Sequence, residues 1–195
     1  SYIERDQVFA NAQTGNMLLF GVNLSEGNFS VAMRYFLPVL AFALGIALAE
    51  IVHKKDLNLL HWRQAAVLVE ALILLGVAFF PQNMNLLANS LTSFACGIQV
   101  ESFRKIRGNG IATTMCIGNM RSGTQNLCNY LQDRDIENLK KALLYYGIII
   151  CFICGAIIGN FFIKIFAEKA ILCCSALLFF AFILMFIDYE REKEQ

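Results

Sequence analysis

Few side chains in this sequence are equipped for chemistry, and most of them fall in two matching stretches. Gln13-Thr14-Gly15-Asn16-Met17 and Cys116-Ile117-Gly118-Asn119-Met120 each set a Gly-Asn pair in apolar sequence. Each is followed by Asn-Leu, at Asn23-Leu24 and Asn126-Leu127, with both elements repeating at an offset of 103 residues. An amide in hydrocarbon is costly unless it finds a partner. Glycine lets backbones approach closely or a helix break, which frees N–H and C=O groups for a solute. The pairs therefore predict a solute site in which Gly15, Asn16, Gly118 and Asn119 act together, with Gln13, Thr14, Asn23 and Asn126 as lining. The competing role is tight helix packing with an interhelical hydrogen bond.

Four ionisable groups fall at or near the same apolar depth: Glu50, Glu70, Glu101 and Arg121. Intramembrane charges face bundle interiors and mark solute or proton paths. Glu70 is the deepest, between Val67-Leu68-Val69 and Ala71-Leu72-Ile73. A single carboxylate there could couple transport to protons, or could simply accept hydrogen bonds. Glu50 and Glu101 sit near helix ends and reach the interface by snorkelling. Arg121 either attracts an anionic solute or pairs with Glu101 or Glu70. His53 and His61 have no Cys or carboxylate cluster at ligand spacing, so no metal or cofactor is expected. The seven cysteines, including Cys151-x-x-Cys154, lie in apolar segments and read as packing residues.

The elements that carry these residues are written in the hydropathy. The chain is 57% hydrophobic and 16% charged, against about 45–50% and about 25% for soluble domains. Tyr35–Val52 carries one charge; Ala142–Phe162 and Ala170–Ile187 carry none. A spanning helix needs about 20 mostly apolar residues, so these three qualify or nearly do. Ala65–Phe80 is shorter and carries Glu70. Asn85–Phe103 is the weakest, interrupted by Asn89, Ser90, Thr92, Ser93, Gln99 and Glu101. Alternating strands of β-barrel type are absent, and no basic-aromatic patch suggests nucleic acid.

The fold class expected is an all-α polytopic membrane protein of two inverted repeats, residues 1–82 and 83–195. Each repeat has three spanning helices and a Gly-Asn segment that is broken or re-entrant. Phe42-x-x-Gly45 matches Phe152-x-x-Gly155, and Ala71-Leu72 matches Ala176-Leu177. In the second copy a helix precedes the Gly-Asn stretch; its counterpart in the first would lie ahead of Ser1, so the repeat predicts a helix N-terminal to this chain. With re-entrant segments, Lys54, Lys55, Arg63, Arg104, Lys105, Arg107, Arg134, Lys140, Lys141, Arg191 and Lys193 share one membrane side. Only Arg5, Arg34, Lys164 and Lys169 fall opposite, the asymmetry that the positive-inside rule favours. Trp62 and Tyr145-Tyr146 read as interfacial anchors. Gly155-x-x-x-Gly159 could pack helices within or between chains, as in a homo-oligomer.

Ala10-x-x-Gln13-Thr14-Gly15-Asn16 with Leu18 and Gly21, and Phe94-Ala95-x-Gly97-x-Gln99 with Thr113-Thr114, resemble the YoaK-type DUF1275 family of bacterial integral membrane proteins. The likeness runs over essentially the whole chain. Ile117 departs from it, standing where the family has Thr before the second Gly. The resemblance implies residence in a bacterial inner membrane and a helix ahead of the first motif; it supplies no substrate. The function expected is a transporter or channel for a small polar solute. The alternative is a membrane-embedded enzyme or binding protein for a lipid-borne ligand, although no Ser-His, His-Glu or Gly-rich phosphate motif supports catalysis.

Overall fold

The computed structural model describes residues 1–54, 62–106, 108–111 and 115–193. Lys55, His61, Arg107 and the Thr113-Thr114 pair lie outside the described residues. Seven α-helices are described: α1 (Gln13–Ser25), α2 (Phe29–His53), α3 (Trp62–Val77), α4 (Asn85–Ser102), α5 (Cys116–Asp133), α6 (Ile136–Phe166) and α7 (Ile171–Lys193). Short 3-10 turns cover Gln82–Met84 and Ala167–Ala170. A two-residue antiparallel pair, β1 (Lys105–Ile106) with β2 (Asn109–Gly110), precedes α5.

The apolar runs became helices close to where they were expected, and the polar joints are shorter. The charged stretch 133–141 reduces to a tight joint. Arg134 adopts a left-handed backbone with φ 55°, and the Asp135 carboxylate accepts the Glu137 N–H at 2.9 Å. That side-chain acceptor starts α6 at Ile136. The polar tail 188–195 continues α7 as far as Lys193. The Gly-Asn pairs do not interrupt helices. Both lie in first turns, of α1 and of α5, so the expected mid-helix break is in fact a helix start. At 13 residues, α1 is about 20 Å long, short of a bilayer core of about 30 Å.

The chain forms two compact units, one of Ser1–Ser102 with Ile165 onward and one of Phe103–Lys164. In the first, α2 packs on α1 and α4, and α3 packs on α4 and α7. Small residues face inward: Ala32, Gly45 and Ala49 on α2, Ala71 on α3, Ala88, Ala95 and Gly97 on α4. Large apolar residues face outward, with Leu40, Leu44, Leu48 and Ile51 along α2 at 41–55% exposure. A soluble bundle reverses that order; small-in and large-out is how helices pack in lipid. The α2–α4 crossing brings the backbones into contact. A Cβ added at Gly45 would lie 2.2 Å from the Phe94 carbonyl oxygen, and one at Gly97 would lie 2.2 Å from that of Phe42. Phe42-Ala43-Leu44-Gly45 and Phe94-Ala95-Cys96-Gly97 thus seat each other reciprocally.

In the second unit α5 meets α6 at Gly123 and Thr124. Tyr145 sits over Gly123, where an added Cβ would meet its Cβ at 3.2 Å. Tyr146 Oη and Thr124 Oγ1 share a hydrogen bond of 2.9 Å, and Tyr145 Oη donates to the Gly110 carbonyl at 3.0 Å. Two helical stretches among the described residues are long and apolar enough to cross a membrane: Phe29–His53, and the 50-residue run Ile136–Met185 that contains α6 and the first part of α7. The most apolar window of the second is entirely unburied. The remaining expected spans fall short, α3 in length at 16 residues and α4 in polarity.

Candidate functional site

Buried polar groups in the first unit gather where residues 5–16 meet α4. Left-handed backbone at Asp6 and Gln7, φ 56° and 54°, turns the chain so that Val8 is buried and Phe9 folds back over α1. Asn16, fully buried, holds that fold. Its Oδ1 accepts the Phe9 N–H at 3.1 Å, and its Nδ2 donates to the Phe9 carbonyl and to Gln13 Oε1, both at 2.8 Å. Both amide protons are therefore spent within the chain, on Phe9 and Gln13 of the same segment. Gly15 has a matching cause: a Cβ there would lie 2.8 Å from Phe9 Cε2. Thr14 is exposed.

Gln13 carries the network onward, donating from Nε2 to the Ala10 carbonyl at 2.8 Å and to Ser93 Oγ at 3.4 Å. Asn85, Asn89 and Ser93 recur every four residues, so they form one stripe on α4, and all three are buried. Asn89 Nδ2 donates to the Arg5 carbonyl at 3.0 Å. The Arg5 guanidinium donates to Asn85 Oδ1 at 2.9 Å and to the Phe80 and Val77 carbonyls at 2.9 and 3.3 Å. It thereby reaches the Phe80 carbonyl just past α3 and adds a second bond to the Val77 carbonyl, which already accepts the Phe80 N–H, at a helix C-terminus where a cation is favoured. One acceptor stays empty: Asn89 Oδ1 is buried and has no hydrogen-bond partner.

Glu70 projects from α3 at 4% exposure, and its buried Oε2 has no partner. Beside it, Ser175 of α7 donates from Oγ to the Ala71 carbonyl at 2.7 Å. Farther along, Glu50 pairs with Lys54 at 3.1 Å near the end of α2, with both side chains at least partly exposed. Trp62 lies against His53, with ring centroids 4.3 Å apart and the planes tilted by 37°. Among the described residues no group of three His, Cys, Asp or Glu side chains is placed to hold a metal.

The other half of the expected site belongs to the second unit. Asn119 is buried and donates to the Met115 carbonyl at 3.2 Å. Gly118 has nothing within 4 Å of an added Cβ, so this copy lacks the cover that Phe9 gives Gly15. Arg121 is exposed. Asn126 donates to the Ser122 carbonyl at 2.7 Å, as Asn23 does to Leu19 at 2.8 Å.

Sequence reasoning missed Arg5 and treated Asn89 and Ser93 as mere interruptions of a span. Their four-residue spacing was the available signal. No curated protein and no solved structure matches this chain. A family model described as DUF1275, a protein of unknown function, matches residues 1–184, and the chain belongs to that family.

Proposed function

We propose that the chain is a multi-pass membrane transporter or channel for a small polar solute, resident in a bacterial inner membrane. One observation carries the reading: a buried polar stripe, Asn85-Asn89-Ser93 with Gln13, inside a bundle whose outer surface is apolar. Polar groups are expensive at membrane depth and are kept there for function. The empty Asn89 Oδ1 is an acceptor for a solute N–H or O–H. Arg5 is committed to α3 and Asn85, which favours an uncharged solute over an anion. On α5, the open Gly118 and the exposed Arg121 are the positions left available in the second copy.

An inverted repeat is part of the proposal, and local geometry supports it. Asn23 and Asn126 each bond back four residues, at equivalent positions. Phe20 meets Phe36 with ring centroids 5.1 Å apart, while their equivalents Gly123 and Tyr146 meet between α5 and α6. Ser175, the equivalent of Glu70, bonds the residue next to Glu70.

The test is uptake of urea, glycerol and short amides by proteoliposomes. Asn89→Val and Ser93→Ala are expected to lower uptake at least tenfold while the protein still folds. Undiminished uptake in both folded variants, or no uptake above empty liposomes for any solute, refutes the proposal.

A further inference from the structure

Among the described residues Glu70 is the only buried carboxylate, and nothing in the solute stripe uses it. An enclosed ionised carboxylate without a partner is strongly disfavoured, so this position calls for a ligand on Oε2. No cation supplies it. Arg5, the other buried charge, is engaged at Val77 and Phe80, about two helical turns farther on. The titratable groups facing Glu70 from the packed helices are thiols, Cys96 of α4 and Cys174 of α7. The Ser1 amino group lies near both thiols. On α2 the ionisable groups near α3 are Glu50 and His53, at the Trp62 end. A divalent metal needs six or more oxygen ligands for calcium, or near-octahedral oxygen for magnesium. One carboxylate beside two thiols provides neither, and zinc, which does take thiol and carboxylate ligands, would need three such groups placed together, which none of the described residues provide. A proton needs one oxygen.

We propose that the Glu70 carboxyl is a proton-binding site where α3 meets α4 and α7, and that it couples solute movement to a proton gradient. The coupling rests on the transport reading above; the proton site does not. Position matters here: Ser175 fastens α7 to the Ala71 carbonyl, one residue from the carboxyl. Protonation and release at Glu70 therefore act directly on the α3–α7 contact, the element whose two arrangements a carrier would have to interconvert.

Two readouts separate the parts. A membrane-soluble carbodiimide reacts with protonated carboxyls, so wild-type protein in liposomes is treated at several pH values and mapped by mass spectrometry. Labelling at Glu70 that falls at least fivefold as pH rises supports the proton site; no labelling of Glu70 at any pH overturns it. Labelling is read without flux, so a protein that moves no solute but labels at Glu70 loses the transport reading and keeps the site. For coupling, an inward proton gradient is expected to raise solute accumulation at least tenfold in wild type, and to have no effect in Glu70→Gln, whose amide cannot release a proton. Accumulation indifferent to the gradient in wild type overturns coupling.

Discussion

Replacing Gly97 with alanine gives the sharpest test of the packing argument. The new methyl would lie 2.2 Å from the Phe42 carbonyl oxygen and 3.2 Å from the Ile46 nitrogen. These are backbone atoms of α2, so no side-chain rotation relieves the clash. Ordinary carbon contacts lie at about 3.5–4.0 Å, so α2 and α4 must separate by about 1 Å, which forfeits a quarter to a half of each contact across the crossing. Overpacking of this kind costs about 3 kcal/mol at the upper end of its usual range. Alanine returns about 1 kcal/mol through its better helix propensity, leaving a net loss of about 2 kcal/mol. Gly45→Ala meets the Phe94 carbonyl at the same 2.2 Å and should cost the same. One separation of the helices relieves both clashes. The double variant is therefore expected to cost scarcely more than either single one, a coupling of about 2 kcal/mol. Gly76→Ala on α3 has nothing within 4 Å, so it should be neutral or stabilising by up to about 1 kcal/mol. Denaturant unfolding in detergent, followed by the fluorescence of the single tryptophan, Trp62, measures all four. A Gly97→Ala protein as stable as the parent, or strict additivity in the double variant, refutes the crossing.

The two Gly-Asn copies should respond differently to the same change. Gly15→Ala forces the Phe9 ring off α1 and, with it, the bonds from Asn16 to Phe9; a loss of about 1–3 kcal/mol is expected, whereas Gly118→Ala, in open space, is expected to be neutral or mildly stabilising in the same unfolding assay. Arg5→Met leaves the Asn85 Oδ1 and the Phe80 carbonyl without their Arg5 donor, so a loss of about 1–3 kcal/mol is expected, and Arg5→Lys, a point donor in place of a fork, should recover only part of it.

Much of this was legible in the sequence because apolar length and turn chemistry are local properties. The runs 31–52, 142–162 and 170–187 carried too little charge to end anywhere but near their polar joints, and helices formed over each. What the sequence did not reveal is what faces what. Asn16 was marked as polar at apolar depth, which is true, but residue type cannot say whether an amide serves a solute or its own chain. The left-handed turn at Asp6 and Gln7 returns Phe9 to it, a partner that residue type does not disclose. Asn89 shows the converse: its spacing from Asn85 and Ser93 was on view, yet only the packed fold leaves its oxygen buried and unfilled. The reciprocal Gly45–Gly97 seat is the most instructive case. Phe42-x-x-Gly45 is similar in sequence to Phe152-x-x-Gly155, yet it is Phe94-x-x-Gly97 that packs against it. Repetition reveals which residues share an ancestry of position. Contact is decided by which small residue lets two backbones touch, and glycine three residues after phenylalanine on both helices is what permits it here.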